Sequence, residues 1–102
     1  MTSTDIEATA LEARAGTFAA LSDPIRLQVL DVLALGERCV CDLQELTGVA
    51  PNLLSYHLRV LRHAGLVEAS RRGRWVDYRL ADDAARLLAD ALPGRSGAGA
   101  MT

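Results

Sequence analysis

The sequence has no lysine, few aromatic residues, only two cysteines and no long hydrophobic run. No apolar stretch approaches the ~18 residues of a membrane-spanning helix, and the polar, acidic segment 1–9 is unlike a signal peptide. We therefore expect a cytoplasmic protein, in which two closely spaced cysteines do not form a structural disulfide. The sequence also has no recognisable nucleophile–base pair, phosphate-binding loop or paired-acid cleft, so we do not expect an enzyme.

Arginine carries all of the positive side-chain charge apart from histidine, and it is unevenly distributed. The 102 residues have a formal net charge of −2, which by itself does not indicate a nucleic-acid partner. The segment 51–80, however, contains six arginines and two carboxylates, a local excess of four positive charges. Because the acidic residues lie towards the two ends, we expect one cationic face, as phosphate binding requires.

Length and hydrophobic content predict a single domain over 1–102. Half of the residues are hydrophobic, which argues against a disordered chain and allows a modest core. We expect order from about residue 6 to residue 92 and a flexible tail over 93–102, where small residues dominate.

Apolar spacing and capping residues predict four helices in the first two thirds of the chain. They are expected over 6–21, 24–34, 42–46 and 51–63. Asp23 and Pro24 suit the start of the second helix, where Leu27, Leu30 and Leu33 are expected to face inwards. Asp42 followed by Glu45 resembles a capping box at the start of the third. In the fourth helix the core-facing residues are expected to be Leu54, Leu58 and Leu61.

The last third of the sequence predicts a β-hairpin and a final helix. Alternating residues favour strands over 66–70 and 75–80, joined through 71–74 with Gly73 in the turn, and Trp75 is expected to pack the hairpin against the body. A helix is expected over 82–92. The order ααααββα is that of a winged helix-turn-helix, mainly α with a β-hairpin wing. Open apolar stripes on the first and last helices favour a homodimer.

In this fold the helix over 51–63 is placed as the recognition helix, and the wing lies beside it. A recognition helix presents polar groups to base edges, while arginines at a wing tip contact phosphate or enter the minor groove. The partner is therefore predicted to be double-stranded DNA, with binding requiring no cofactor. The candidate DNA-contacting residues are Asn52, Leu53, Ser55, Tyr56, His57, Arg59, Arg71, Arg72 and Arg74.

Cys39 and Cys41 are the candidate ligand site. Thiolates suit soft ions such as As(III), Sb(III), Cd(II), Hg(II) and Zn(II). On a regular helix, side chains two residues apart point about 200° apart, so one ion can be held by both thiols only where the chain is not helical. Ion binding there would disturb the helix that follows. The residues leave open a second class of signal, in which the same two thiols respond to oxidants or persulfides.

Four segments together resemble the ArsR/SmtB family of metal-responsive winged-helix repressors. The resemblance covers roughly residues 15–92 and implies a homodimer that represses a metal(loid) resistance operon and leaves its operator when an inducer binds. The Cys-Val-Cys-Asp-Leu motif is similar to the arsenic and antimony branch, which implies As(III) or Sb(III) bound by Cys39 and Cys41. The segments that carry the resemblance are 21–27, 39–43, 54–61, and 64–67 with 73–80.

Three features of the sequence depart from the family pattern. Gln44 stands where the arsenic branch often has a third cysteine, which leaves three alternatives: a weaker site, a different preferred ion, or a third ligand from outside the chain. The final helix has no histidine, so the family's other common metal site, built from Asp, His and Glu, is not expected. The recognition helix opens with Ala50-Pro51 rather than Ser-Gln, which implies a different operator preference.

Overall fold

The computed structural model describes residues 2–94, and the predicted tail beyond Gly94 lies outside them. The predicted winged helix-turn-helix is confirmed, with one additional short strand before the third helix. No helix within residues 2–94 is long and apolar enough to span a membrane. In chain order the elements are α1 Thr2–Leu21, α2 Pro24–Leu33, β1 Arg38–Cys39, α3 Val40–Thr47, α4 Pro51–His63, β2 Val67–Arg72, β3 Trp75–Leu80 and α5 Ala84–Ala91.

Asp23 separates α1 from α2 as an N-cap. Its Oδ1 accepts hydrogen bonds from the backbone amides of Ile25 at 2.8 Å and Arg26 at 3.3 Å, and Pro24 occupies the first helical turn. Partial desolvation opposes the charged form, but the two amides and the nearby His57 and Arg26 lower the pKa of Asp23 overall. The predicted start of α2 is confirmed.

The start of α3 differs from the prediction. The helix begins at Val40 rather than Asp42, and its N-cap is Cys39, with extended backbone at φ −76° and ψ 160°. The Cys39 Sγ accepts a hydrogen bond from the Asp42 amide at 3.4 Å, so sulfur fills the role expected of the Asp42 carboxylate. The predicted capping box is therefore wrong, and Asp42 lies in the first turn, where its charge favours the helix dipole.

A three-stranded antiparallel sheet joins the wing to the body. Its order is β1–β3–β2, so the long strand β3 pairs with the wing strand on one side and with Arg38–Cys39 on the other. The turn between β2 and β3 is the two residues Gly73 and Arg74, and Gly73 has φ 62°, as a primed hairpin turn requires. Arg71 and Arg72 therefore belong to β2 and not to the turn that was predicted.

The core lies between α2, α3, α4 and the base of the wing. It contains the three leucines predicted for α4, together with Val29, Leu43 and Leu66. Leu27 was expected inside but is 47% exposed, because α2 buries Arg26, Val29 and Leu33 instead. Because Arg26 is buried, the buried face of α2 is displaced by one residue from the face predicted from the apolar residues alone.

Candidate nucleic-acid interface and thiol site

The recognition helix α4 separates cleanly into a core face and an outer face. Leu54, His57, Leu58 and Leu61 are buried, and they recur at the three- and four-residue spacing of one helical face. The predicted contact residues other than His57 lie on the exposed remainder. That outer face presents amide, hydroxyl, phenol and guanidinium groups near the N-terminal half of the helix, and its members are Asn52, Leu53, Ser55, Tyr56 and Arg59.

His57 does not belong to this outer face, and its prediction as a DNA contact needs correction. It is 4% exposed, because position 57 lies three residues after Leu54 and four before Leu61. Its Nδ1 lies 2.9 Å from Nη1 of the buried Arg26. The ring is thus a hydrogen-bonding core residue, which the spacing of the leucines in the sequence already indicated.

The turn before α4 is held by side chains of α3. Gly48 ends α3 with φ 69°, and the Gln44 side chain donates to the Val49 carbonyl. Pro51 then begins α4, and the Ala50 carbonyl accepts from the Leu54 amide at 2.9 Å. Gln44 was singled out only as a departure from the cysteine pattern, yet its amide connects the thiol-bearing helix to the turn before the recognition helix.

The wing carries arginines in two different states. Arg71 and Arg74 are exposed, and neither has a carboxylate partner among residues 10–94, whose side chains the structure describes. Arg72 instead donates through Nε to Asp77 Oδ2 at 2.9 Å and through Nη2 to Oδ1 at 3.3 Å. This hydrogen bonding, with the charge of Asp77, raises the pKa of Arg72 above its ordinary value. Arg72 therefore braces the hairpin, although its side chain remains 70% exposed.

Arg79 and Trp75 also affect the cationic surface of the wing. Arg79 forms ion pairs with Glu68 across the hairpin and with Asp82 at 3.1 Å, so its charge is locally compensated. Trp75 is 48% exposed at the end of the wing, which contradicts the prediction that it packs against the body. Its position directly opposite Arg72 in the hairpin adds an aromatic surface beside the exposed arginines.

The two cysteines occupy different backbone environments one residue apart. Cys39 ends β1 and caps α3, while Cys41 is the second residue of the helix and is exposed. The non-helical geometry that two-thiol binding needs is therefore present at Cys39. Partial desolvation, the adjacent Cys39 thiol and the Asp42 carboxylate together raise the pKa of Cys41 above its ordinary value.

Cys39 is also directly linked to the wing. It pairs with Asp77 across the β1–β3 ladder, and directly opposed residues place their side chains on the same face of a sheet. Asp77 is 8% exposed and holds the wing residue Arg72. A group bound at Cys39 would thus act on both the start of α3 and the base of the wing.

The donor set fits a soft, low-coordinate ion. Within the described residues no group of three His, Cys, Asp or Glu side chains converges as a metal site. Two neighbouring thiols suit As(III), Sb(III) or Hg(II) with remaining ligands from solution, whereas a closed tetrahedral zinc site requires four donors. The two thiols therefore fit part of a metalloid site and leave its third ligand to an outside donor.

Comparison with known proteins agrees with this architecture. Residues 23–69 match the family described as bacterial regulatory protein, arsR family. The homodimeric winged helix-turn-helix DNA-binding domain Mb0332 of Mycobacterium bovis, a possible ArsR-family regulator, superposes with a TM-score of 0.75 at 43% identity, covering 83% of this chain and 80% of that one. The chain belongs to the ArsR/SmtB family of winged helix-turn-helix transcriptional regulators.

Two curated ArsR/SmtB relatives each match about two thirds of this chain. The transcriptional repressor SmtB homolog of Synechocystis is 47% identical over 66 residues, which cover 65% of this chain and 50% of the relative. The arsenical resistance operon repressor of Bacillus subtilis is 40% identical over 67 residues, covering 65% of this chain and 64% of the relative. The chain thus spans half to two thirds of these ArsR/SmtB relatives. Since the two names describe different repressors, similarity alone does not select an inducer.

Proposed function

We propose that this protein is a homodimeric transcriptional repressor of a metal(loid) resistance operon. It binds operator DNA through α4 and the wing, and it is released when Cys39 and Cys41 bind As(III) or Sb(III). The observation that carries the proposal is the position of Cys39, which both caps α3 and pairs with Asp77 at the base of the wing. One bound ion there can act on the wing directly and on α4 through α3 and the turn that joins the two helices.

DNA binding is supported by the chemistry of one surface. Polar side chains of α4 suit base edges in the major groove, while Arg59, Arg71 and Arg74 suit phosphate. These arginines are exposed, and no carboxylate among the described residues neutralises them. Arg72 contributes by holding the wing in shape and through its exposed charge.

Dimerisation is supported by apolar surface that a single chain leaves uncovered. Leu11 is 58% exposed, Phe18 41% and Leu92 48%, and all three lie on or next to the packed pair α1 and α5. A second copy would cover this surface and place two recognition helices on one DNA duplex, which fits the homodimeric state of the Mycobacterium bovis domain.

Release follows from competition for the Cys39 sulfur. Cysteine sulfur is a weak hydrogen-bond acceptor, so the bond from the Asp42 amide at 3.4 Å holds the start of α3 only weakly. An ion bound to both thiols draws Cys39 and Cys41 into one coordination geometry and displaces that cap. A change at the start of α3 can then move α3 and the turn before α4 that Gln44 holds. Through the Cys39–Asp77 pair it can also move the wing.

The test is a titration of the DNA complex. Fluorescence anisotropy of labelled DNA from the region upstream of its gene is followed while As(III), Sb(III), Cd(II), Hg(II) or Zn(II) is added, with the Cys39→Ser/Cys41→Ser double variant as control. The proposal predicts release by As(III) or Sb(III) that the double variant loses. Release only by Cd(II) or Hg(II) keeps the repressor and changes the inducer. Release by an oxidant or a persulfide in the absence of any ion identifies the thiols as redox sensors instead.

A further inference from the structure

A buried polar cluster ties the recognition helix to the junction of α1 and α2. His57 of α4 is 4% exposed and Arg26 of α2 is 8% exposed, and Asp23 lies beside them as the α2 N-cap. The Arg26 guanidinium donates through Nε to the Ala20 carbonyl at 2.7 Å and through Nη2 to the Ala19 carbonyl at 3.1 Å. Its Nη1 points to His57 Nδ1 at 2.9 Å. One guanidinium thus connects the end of α1 to the middle of α4.

The donor chemistry of this cluster determines the state of the histidine. A guanidinium can only donate hydrogen bonds, so His57 Nδ1 must accept and therefore carries no proton. The ring is then neutral with its proton on Nε2, which faces Asp23 Oδ1 at 3.8 Å. This is the only protonation state in which the 2.9 Å contact is a hydrogen bond.

We propose that neutral His57 is a positioning residue for DNA recognition and that its protonation weakens operator binding. The inference rests on the proposed function, in which the outer face of α4 contacts DNA. Tyr56, the residue before His57, lies on that outer face. The rings of the two residues pack with centroids 5.3 Å apart and planes tilted by 58°. Loss of the Arg26 contact would change the orientation of α4 and of Tyr56 together.

The effect of acid follows from the charged groups that face the ring. Arg26 lies at 2.9 Å on the Nδ1 side, and Asp23 lies at 3.8 Å on the Nε2 side. If Nδ1 carried a proton, its N–H would point at the N–H of Arg26, so two donors would face each other. Two positive charges would also be brought together in a buried place. Asp23 favours the charged ring, but it is farther away and its Oδ1 already accepts from two backbone amides. The stabilisation provided by the Arg26–His57 hydrogen bond is therefore present at high pH and is lost as the pH falls.

The direction of this effect distinguishes it from ordinary surface electrostatics. Acidification makes a protein more positive and generally strengthens its attraction to DNA phosphates. The surface residue His63, at the end of α4, would act in that usual direction. Weaker specific binding at low pH therefore requires a group whose neutral form supports the bound conformation.

His57→Asn is the decisive variant. The asparagine Oδ1 is the same number of bonds from Cβ as the histidine Nδ1, so it can accept from Arg26 and cannot be protonated. His57→Leu fills the space without an acceptor and leaves Arg26 Nη1 unpaired. Operator affinity of the full chain is measured by fluorescence anisotropy from about pH 8 to about pH 5.5, the range in which histidine ordinarily titrates. His63→Asn serves as the matched surface control.

We expect the wild type to lose about twofold in affinity over this range relative to His57→Asn, because Arg26 opposes protonation of the ring, and His57→Asn should keep the affinity that the wild type has at high pH. His57→Leu should bind poorly at every pH. Identical pH profiles for the wild type and His57→Asn would overturn the inference, even if both bind DNA well. Failure of the wild type to bind DNA at high pH would instead overturn the proposed function.

A readout without DNA keeps the inference testable if His57→Leu does not fold. Nitrogen-15 NMR of the imidazole ring reports which nitrogen carries the proton, and we expect the Nε2–H form at about pH 8. Thermal unfolding should show wild-type stability falling faster than that of His57→Asn as the pH is lowered. A ring protonated on Nδ1 at about pH 8 would contradict the geometry on which the inference depends.

Discussion

The recognition helix and the thiol-bearing helix are attached to the protein in different ways. The thirteen residues of α4 place three leucines and His57 in the core, whereas the eight residues of α3 bury only Leu43. The start of α3 is held by a sulfur acceptor at 3.4 Å, while α2 is capped by a carboxylate at 2.8 Å. The candidate DNA-contacting surface is therefore fixed by the core, whereas the candidate sensor lies on the more easily displaced element.

Removing a core contact of α4 gives the largest expected effect. Leu58 is 1% exposed, so Leu58→Ala should destabilise the protein by about 2–5 kcal/mol through lost burial and a residual cavity. In α3, Leu46 is 50% exposed, and Leu46→Ala should cost less than about 0.5 kcal/mol. Urea unfolding followed by circular dichroism measures both, and similar losses would contradict the contrast between the two helices.

Removing exposed wing charge should weaken DNA binding without altering stability. Arg71→Ala and Arg74→Ala each remove one phosphate-binding group per protomer and two per homodimer, so each should lower the slope of log affinity against log salt by about two units. The matched control is Arg86→Ala, because Arg86 lies on α5 and pairs with Asp83 at 2.8 Å and Asp90 at 3.5 Å. Anisotropy over a salt series measures the slopes. An unchanged slope for both wing variants would remove the wing from the DNA interface.

Adding a third thiol should make the thiol site bind As(III) more tightly. Position 44 lies three residues after Cys41 on α3, and such residues are neighbours on a helix surface. Gln44→Cys should therefore bind As(III) more tightly than the wild type, while Gln44→Ser loses the amide bond to Val49 without gaining a ligand. Ultraviolet absorbance of the arsenic–thiolate bonds measures the affinity. Equal affinities for the cysteine and serine variants would show that position 44 does not reach the ion.

The smallest expected effect concerns the reactivity of Cys41. Because its pKa is raised by partial desolvation, Cys39 and Asp42, its thiolate forms at higher pH than that of an ordinary cysteine. Asp42→Asn removes one of these causes, so the pKa should fall and alkylation at neutral pH should become faster. Mass spectrometry of alkylation over a pH series measures the rate at Cys41 separately from Cys39. Glu45→Gln is the control, and an equal acceleration there would remove Asp42 as the specific cause.

Much of the fold could be predicted because its signals are local. The leucine spacing and Pro51 define α4, and Gly73 marks the turn of the wing, although that turn is two residues shorter than predicted. The start of α3 was missed because cysteine is not among the usual capping residues and because β1 has only two residues. A strand this short is formed by pairing with β3, which is a tertiary contact that no local pattern shows.

The functional surface was predicted less completely than the fold. The outer residues of α4 follow from helix periodicity, and the same periodicity places His57 inside, where it should have been assigned. The pairing of Arg72 with Asp77 depends on the hairpin register, since Asp77 opposes Ser70, two residues before Arg72 on the same face. The link from Cys39 to Asp77 depends on the third strand and could not be read from spacing.

An ion bound at the two thiols should rearrange the start of α3 and the base of the wing without unfolding the recognition helix. The decisive measurement is amide hydrogen exchange with and without As(III), repeated on the Cys39→Ser/Cys41→Ser variant. We predict altered exchange at 39–43 and at the β1–β3 pair, unchanged protection from Leu54 to Leu61, and no response in the double variant. Loss of protection across 54–61, or a response that persists without the thiols, would contradict the claim.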